Sequence, residues 1–242
     1  MPALLEVQGL SKSFRGLRAL HDVSLAVPSG GIVGLIGPNG AGKTTCFNLI
    51  AGAFPADAGS IRFEGQPIHG ARPDRICAAG IGRTFQIVKP FAGLSVLDNV
   101  IVGALLREKT PSAARALSLQ TLDKLGLAAK RDELASSLTL PDRKRLEVAR
   151  ALASRPKLLL LDEVMAGLRP TECDQIVAVF RELNRAEGLT ILLIEHVMRA
   201  VMALARHIVV LHHGEVIARG APQEVVRDPA VLECYLGEET AI

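Results

Sequence analysis

The sequence is poor in aromatic residues and in cysteine. Aromatic residues make up only 3% of the 242 residues, with no tryptophan and a single tyrosine, so the core must be aliphatic. The four cysteines are widely scattered and form no Cys-x-x-Cys pair, and the six histidines show no ligand spacing. Neither a disulfide framework nor a zinc site is therefore indicated.

Strong net charge and long apolar runs are also missing. The formal net charge is +3 and the basic residues are dispersed, which argues against a nucleic-acid partner. No stretch reaches the ~18 apolar residues of a membrane span, and residues 1–6 do not resemble a signal peptide. We therefore expect a cytoplasmic protein that reaches a membrane only through a partner.

The most informative stretch is residues 37–45, which read Gly-Pro-Asn-Gly-Ala-Gly-Lys-Thr-Thr and follow an apolar run at 32–36. This is the P-loop pattern in its strand-then-helix context. The glycines let backbone N–H groups surround a phosphate, Lys43 is expected to reach the β and γ phosphates, and Thr44 to ligate Mg²⁺. A plain glycine turn is the alternative, but a turn has no need of the Lys-Thr pair. The predicted phosphate-binding residues are Gly37, Pro38, Asn39, Gly40, Ala41, Gly42, Lys43, Thr44 and Thr45.

The order of patterns along the chain predicts an α/β protein. Short alternating strands at 4–8, 23–27 and 61–64 indicate an antiparallel β layer. Amphipathic patterns predict three helices at 94–106, 113–125 and 142–153, so that residues 88–155 form a helical region inserted between strands. The apolar run at 158–161 is typical of a parallel strand buried on both faces, and two further short strands are predicted at 81–85 and 190–194. A hairpin around 208–218 and a helical tail complete the chain.

Polar residues follow directly on the buried strands. Gln86, Asp162, Glu163 and His196 all stand at strand ends, where functional groups of parallel sheets collect, so they are candidates for one site. Asp162 can hold Mg²⁺ through water, and Glu163 can polarise an attacking water, a role that typically supplies 10²- to 10⁴-fold in rate. The alternative is structural, because any buried strand can end in two acids.

Together these motifs resemble the ATP-binding subunit of ABC transporters, from residue 4 to the tail. The resemblance implies ATP hydrolysis with Mg²⁺, adenine stacking on Phe14, and Gln86 as a Mg²⁺ ligand that senses a membrane partner. It also implies that the imidazole of His196 hydrogen-bonds the γ-phosphate and the attacking water. Phe14 could instead be a core residue, and His196 a satisfied strand-end histidine.

The family fold is a P-loop nucleotide-binding core with an antiparallel β layer and an inserted helical subdomain. The resemblance implies one domain over 1–242. Residues 1–87 and 156–242 would form the β layer and core, and residues 88–155 the helical subdomain with the signature loop.

Within the family, residues 83–86 (Arg-Thr-Phe-Gln), 94–100 and the ending from 220 to 238 look like the subunits of branched-chain amino-acid importers. The ending is shared with lipopolysaccharide-export ATPases, so an exporter of lipopolysaccharide or lipid is the nearest alternative. A soluble ABC ATPase acting on ribosomes or DNA is a third, although such proteins usually carry two nucleotide domains or long coiled coils.

An importer subunit implies several partners. These are a second ATP-binding subunit, integral-membrane permeases on whose cytoplasmic side the chain would sit, and a periplasmic or extracellular substrate-binding protein. No nucleic acid is expected. The apolar segment 87–91 is the predicted docking surface for a permease.

The signature loop departs from the family pattern Leu-Ser-Gly-Gly-Gln, because residues 138–142 read Leu-Thr-Leu-Pro-Asp. Thr139 keeps a hydroxyl, but Pro141 has no N–H to donate to a partner's nucleotide, a loss of roughly 1.5 to 3 kcal/mol. Asp142 is expected to compete with phosphate for the positive helix end. We therefore hypothesise pairing with a different ATP-binding subunit. Arg169, where an acid or Asn is usual, could reach across the dimer or face solvent.

Overall fold

A computed structural model describes residues 3–239, and the side chains of residues 3–235. Residues 1–2 and 240–242 of the predicted domain lie outside this range. Within the described residues, ten strands form two sheets. They are β1 (Ala3–Phe14), β2 (Leu17–Pro28), β3 (Ile32–Ile36), β4 (Ala58–Phe63), β5 (Gln66–Pro67), β6 (Ile81–Arg83), β7 (Leu158–Asp162), β8 (Thr190–Ile194), β9 (His207–His212) and β10 (Glu215–Gly220).

The larger sheet has the order β10-β9-β3-β8-β7-β6, and every strand except β10 runs parallel to its neighbours. Successive residues of its central strands belong to different cores: Leu159 and Leu161 pack among the helices, whereas Leu158 and Leu160 pack under the β layer. Burial of both faces explains why these strands are continuous apolar runs without polar alternation.

The smaller sheet, β2-β1-β4-β5, is antiparallel. Its first two strands are longer than predicted and join at a tight hairpin through Arg15 and Gly16, both at positive φ. Most of residues 13–18 are exposed, so this part of the hairpin lacks the alternation that marks half-buried strands. The extension carries Phe14 to its tip.

Helices cover the larger sheet and fill the interval between β6 and β7. The helices are α1 (Lys43–Ile50), α2 (Pro73–Ala79), α3 (Val96–Ala104), α4 (Pro111–Lys124), α5 (Leu140–Ala153), α6 (Pro170–Glu187), α7 (Met198–Leu204), α8 (Pro222–Val225) and α9 (Pro229–Glu239). Ser95 and Thr110 cap α3 and α4 by accepting backbone N–H bonds, as their residue types favour.

The predicted α/β architecture is confirmed, and the bounds of several elements differ from those predicted. Helix α5 begins at Leu140, two residues before the prediction, because Pro141 fits the first turn, where no N–H donor is needed. Strand β6 ends at Arg83 instead of 85, although Thr84 still donates its N–H to Leu160. The division at 88–155 stays a prediction.

Arg107 ties the inserted helices to the sheet core. Its guanidinium donates to the carbonyl oxygens of Cys77 and Ala78 at the end of α2, and to that of Ser154 after α5. Carbonyls at helix ends lack intrahelical donors, and Arg107 supplies donors to both helices. None of the described helices is both long and apolar enough to cross a bilayer.

Candidate active site

The P-loop joins β3 to α1, and neighbouring strands press against it. A Cβ on Gly37 would lie 2.0 Å from the carbonyl oxygen of Leu211 in β9, and one on Gly42 would lie 2.5 Å from that of Ala19 in β2. Both glycines also have positive φ. These two are therefore required by the packing of the loop against the sheets as well as by its curvature.

Lys43 begins α1 and is buried, with 6% of its surface exposed. Its ammonium donates to the carbonyl oxygens of Gly37 and Pro38, at 2.7 Å each. The lysine is thus held inside the curve of the loop, where a phosphate would also lie.

A cavity of about 500 Å³ opens over the P-loop. It brings together residues predicted separately, namely Phe14, Gln86, Glu163 and the P-loop from Asn39 to Thr45. It also takes in Leu17, Arg18, Ala19 and His213, which the sequence did not single out.

Phe14 stands at the rim of this cavity, 40% exposed. Its ring meets that of Phe54 edge to face, with centroids 5.2 Å apart. The ring is partly exposed and lines the cavity, which favours the predicted stacking over the core alternative.

Glu163 lies between two of the predicted site residues. Gln86 donates its side-chain N–H to Oε2 of Glu163 at 2.7 Å, and Nε2 of His196 lies 2.6 Å from Oε1. The carboxylate is 12% exposed and the imidazole 37%. Three residues from the ends of β6, β7 and β8 therefore form one cluster, as the strand-end argument predicted.

Asp162 ends β7 and is 1% exposed. Arg83 donates to its Oδ2 at 3.1 Å and to Oδ1 of Asn48, on α1, at 2.6 Å. Burial raises the pKa of Asp162, and the charges of Arg83 and Lys43 act in the opposite direction. Oδ1 of Asp162 is buried and has no hydrogen-bond partner among the described residues.

Arg83 belongs to the segment 83–86 that resembles the importer subunits, and no separate role is predicted for it. Its position next to the Asp162 strand could have been anticipated, because both residues end adjacent parallel strands. Arg18 and His213 carried no signal. His213 lies in the β9–β10 turn, whose Gly214 donates its N–H to Ala41 of the P-loop.

The side chains of the altered signature loop, residues 138–142, form hydrogen bonds within this chain. Thr139 donates its hydroxyl to Oδ2 of Asp142 at 2.8 Å, and Lys130 donates to the same oxygen. Arg145 lies 3.7 Å from the other oxygen. Burial acts to raise the pKa of Asp142, but the bonds from Lys130 and Thr139 and the nearby positive charges outweigh it, so the pKa is lowered.

Arg169 precedes α6 and bonds within its own chain. Its guanidinium and its backbone N–H both donate to Glu172, and its side chain is 80% exposed. The arginine therefore completes the first turn of α6.

Fold and site together define a P-loop ATPase of the ATP-binding-cassette class. The chain belongs to the ABC transporter family, which matches residues 20–166. A second family, described as branched-chain amino acid ATP-binding cassette transporter, matches residues 215–241. Members of the ABC transporter family hydrolyse ATP to power transport, and this chain is an ATPase of that kind.

Relatives of known name match along the whole chain. The chain is 37% identical over 250 residues to the high-affinity branched-chain amino acid transport ATP-binding protein BraF of Pseudomonas aeruginosa, covering 97% of this chain and 98% of BraF. It is 38% identical over 252 residues to LivG of Escherichia coli K12, with the same coverage. It is also 37% identical over 242 residues to the lipopolysaccharide export system ATP-binding protein LptB of Acidithiobacillus ferridurans, covering both chains fully.

Solved structures agree with this assignment. The ADP conformation of MJ1267, an ATP-binding cassette of an ABC transporter, superposes with a TM-score of 0.89 at 32% identity, covering 98% of this chain and 100% of that chain. A nucleotide-free ATP-binding cassette from an ABC transporter gives a TM-score of 0.88 at 31% identity, covering 97% of this chain and 99% of that one.

Proposed function

We propose that this chain hydrolyses MgATP over its P-loop to power the import of branched-chain or related amino acids. The observation that carries the chemistry is the Glu163 carboxylate, held between Gln86 and His196 at the edge of the P-loop cavity. The matches to BraF, to LivG and to the family at residues 215–241 support the choice of cargo.

In this mechanism Glu163 polarises the water that attacks the γ-phosphate. Such a water must be aligned with the bond that breaks, and the two neighbours of Glu163 fix the direction of its carboxylate. Lys43 and the P-loop N–H groups bind the phosphates, and Phe14 stacks on adenine.

The residues present fit a magnesium ion. Mg²⁺ is usually bound through one or two carboxylates together with phosphate oxygens and water. Oδ1 of Asp162 is a buried oxygen with no partner in the described part of the chain, and the Thr44 hydroxyl and the Gln86 amide oxygen complete the proposed set. When bound, the ion neutralises charge that develops on the β and γ oxygens.

We propose that the partner in the ATP-bound dimer is a different ATP-binding subunit. The Thr139 hydroxyl donates a hydrogen bond to Asp142, and Pro141 has no N–H to donate. This signature loop is therefore a poor site for a partner's γ-phosphate. The competent composite site would then combine this chain's P-loop and Glu163 with the partner's signature.

Glu163→Gln in this chain alone tests the asymmetry. Hydrolysis by the assembled complex should fall to a few per cent, whereas the matching substitution in the partner should leave most of it. Equal losses from the two substitutions would contradict the asymmetric assignment.

The 87–91 segment is the proposed docking surface for a permease. Ile87 is 72% exposed and Phe91 44%. Arg150 of α5 stacks over the Phe91 ring, 4.6 Å from its centroid, and donates to the carbonyl of Lys89. An exposed apolar segment that Arg150 holds in place is suited to bind an apolar partner.

Phe91→Asp should abolish copurification with the permeases while the isolated subunit still binds ATP. Leu232→Asp is the matched control, because Leu232 is 47% exposed on α9, outside this segment. Equal copurification of the two variants would show that the 87–91 segment is not the docking surface.

The cargo is tested in the assembled transporter. We would coexpress the chain with candidate permeases and measure uptake of radiolabelled leucine, isoleucine and valine into vesicles. Uptake that needs ATP and an intact Glu163 supports the proposal. LptB, a relative over the full length, supports the exporter alternative, and ATP-dependent extraction of lipopolysaccharide without amino-acid uptake would establish that alternative instead.

A further inference from the structure

The backbone of Glu163 is strained. Its φ is +50°, in the left-handed region that residues other than glycine rarely adopt. Such a conformation persists only where surrounding contacts enforce it. The N–H of Glu163 donates to the carbonyl of Ile194 at 2.9 Å, which provides one of these contacts.

Lys144 provides a second contact. It lies on α5, the helix that the signature loop begins, and is only 5% exposed. Its ammonium donates to the backbone carbonyl of Glu163 at 2.9 Å. Burial lowers the pKa of Lys144, while Glu195 and Glu163 favour its charged form.

Glu195 provides a third contact, from the opposite side. It directly follows β8 and is 2% exposed. Its Oε1 accepts the N–H of Met165 at 2.7 Å, two residues after Glu163, and Oε2 has no hydrogen-bond partner within residues 3–235. The turn 163–165 is thus bonded by one buried charged side chain at its start and another at its end.

Stability alone does not explain these two charges. Burying a lysine and a glutamate side chain is costly, and apolar replacements are often as stable. Each group forms a hydrogen bond with the backbone of the turn that carries Glu163, the proposed catalytic base. This indicates that they set the geometry of Glu163.

We propose that Lys144 and Glu195 are positioning residues that hold the strained Glu163 turn and so aim its carboxylate at the attacking water. The proposal rests on the proposed role of Glu163. The Lys144 contact also links Glu163 to α5, because a shift of α5 would move the ammonium that donates to the Glu163 carbonyl.

Single-turnover ATP hydrolysis in the assembled transporter tests the proposal. Lys144→Met should lower the rate by about 10²-fold, the scale of a small misplacement of a reacting group, while the affinity for MgADP stays within about twofold. Lys144→Arg keeps a donor and should recover most of the rate. Lys124→Met, which removes an exposed ion pair with Glu187, is the control and should leave the rate unchanged.

Two substitutions of Glu195 distinguish its role as a hydrogen-bond acceptor from its role as a charge. Glu195→Gln retains an oxygen for the Met165 N–H and should hydrolyse ATP within a fewfold of the parent chain. Glu195→Leu removes the acceptor and should lower the rate as Lys144→Met does. A Glu195→Leu variant with the parent rate would overturn the assignment of Glu195.

The decisive measurement is the Lys144→Met substitution made in a Glu163→Gln chain. If Lys144 acts through the carboxylate, it has no further effect on the residual rate there. A further loss of about 10²-fold, or a fall in melting temperature without loss of rate per folded molecule in the single variant, would overturn the proposal. If Glu163→Gln alone hydrolysed ATP at the parent rate, the proposed catalytic role of Glu163 would fail instead.

Discussion

The ion pair between Arg83 and Asp162 permits a quantitative prediction. Replacing Arg83 by Met removes the hydrogen-bonded cation beside a carboxylate that is 1% exposed, and it also removes the bond to Asn48. Methionine fills a similar volume without charge. The substitution therefore removes the positive charge together with both hydrogen bonds, and leaves the packing volume nearly unchanged.

The expected loss in the free energy of unfolding depends on the Asp162 carboxylate, which is left buried without its cation. Removing one partner of a buried ion pair typically costs 3–5 kcal/mol, because the other charge is left uncompensated. Arg83 is itself 11% exposed, so we expect the lower end, about 3 kcal/mol. The pKa of Asp162, already raised by burial, rises further without Arg83, and the cost should shrink at acidic pH as the carboxyl takes up a proton.

Urea unfolding at pH 7.5 measures this cost, with Arg72→Met as the control. The Arg72 and Asp74 side chains form an exposed pair, 83% and 58% accessible, so that variant should lose less than about 1 kcal/mol. Adding Asp162→Asn to Arg83→Met should restore most of the stability, because the unpaired charge is gone. A loss below about 1 kcal/mol for Arg83→Met, or no recovery in the double variant, would refute the reasoning.

Three further predictions concern binding, pH and packing. Phe14→Ala should weaken ADP binding by roughly 1–3 kcal/mol, the usual value of base stacking on an aromatic ring, as measured by calorimetry, whereas Phe14→Tyr should bind normally. Burial raises the pKa of Glu195 from 4.5 to about 7, so the unfolded chain loses this proton first as the pH rises. The free energy of unfolding should fall by up to roughly 3 kcal/mol between pH 4.5 and 7, and Glu195→Gln should remove that part of the dependence in urea titrations. Gly103→Ala places a Cβ 2.3 Å from the carbonyl oxygen of Arg150 and should cost about 1–3 kcal/mol in thermal unfolding, whereas Gly93→Ala, with open space around it, should be neutral.

Local patterns were sufficient to predict the elements. The P-loop, the apolar runs of the buried strands and the amphipathic helices each depend on residues close in sequence, and the structure contains the elements they predict. Element ends were less well predicted. The β1–β2 hairpin projects beyond the core, so its polar, exposed tip carried no periodic signal.

Gln86, Glu163 and His196 are expected at one edge of the sheet because each follows the end of a strand. Their hydrogen bonds do not follow from the sequence, because Gln86 and Glu163 are separated by 77 positions and meet only through the order β6-β7-β8. The same order places Arg83 on Asp162, 79 positions away, a contact for which the family resemblance offered no reason.

The class of site follows from the sequence alone, because phosphate binding needs a glycine-rich loop followed by Lys-Thr, and both are contiguous. How Glu163 is held depends on the tertiary fold. The left-handed backbone of Glu163 is invisible in its residue type, and Lys144 and Glu195 reach its turn from a helix and a strand distant in the chain. Contacts of that kind depend on packing between elements, which no local spacing encodes.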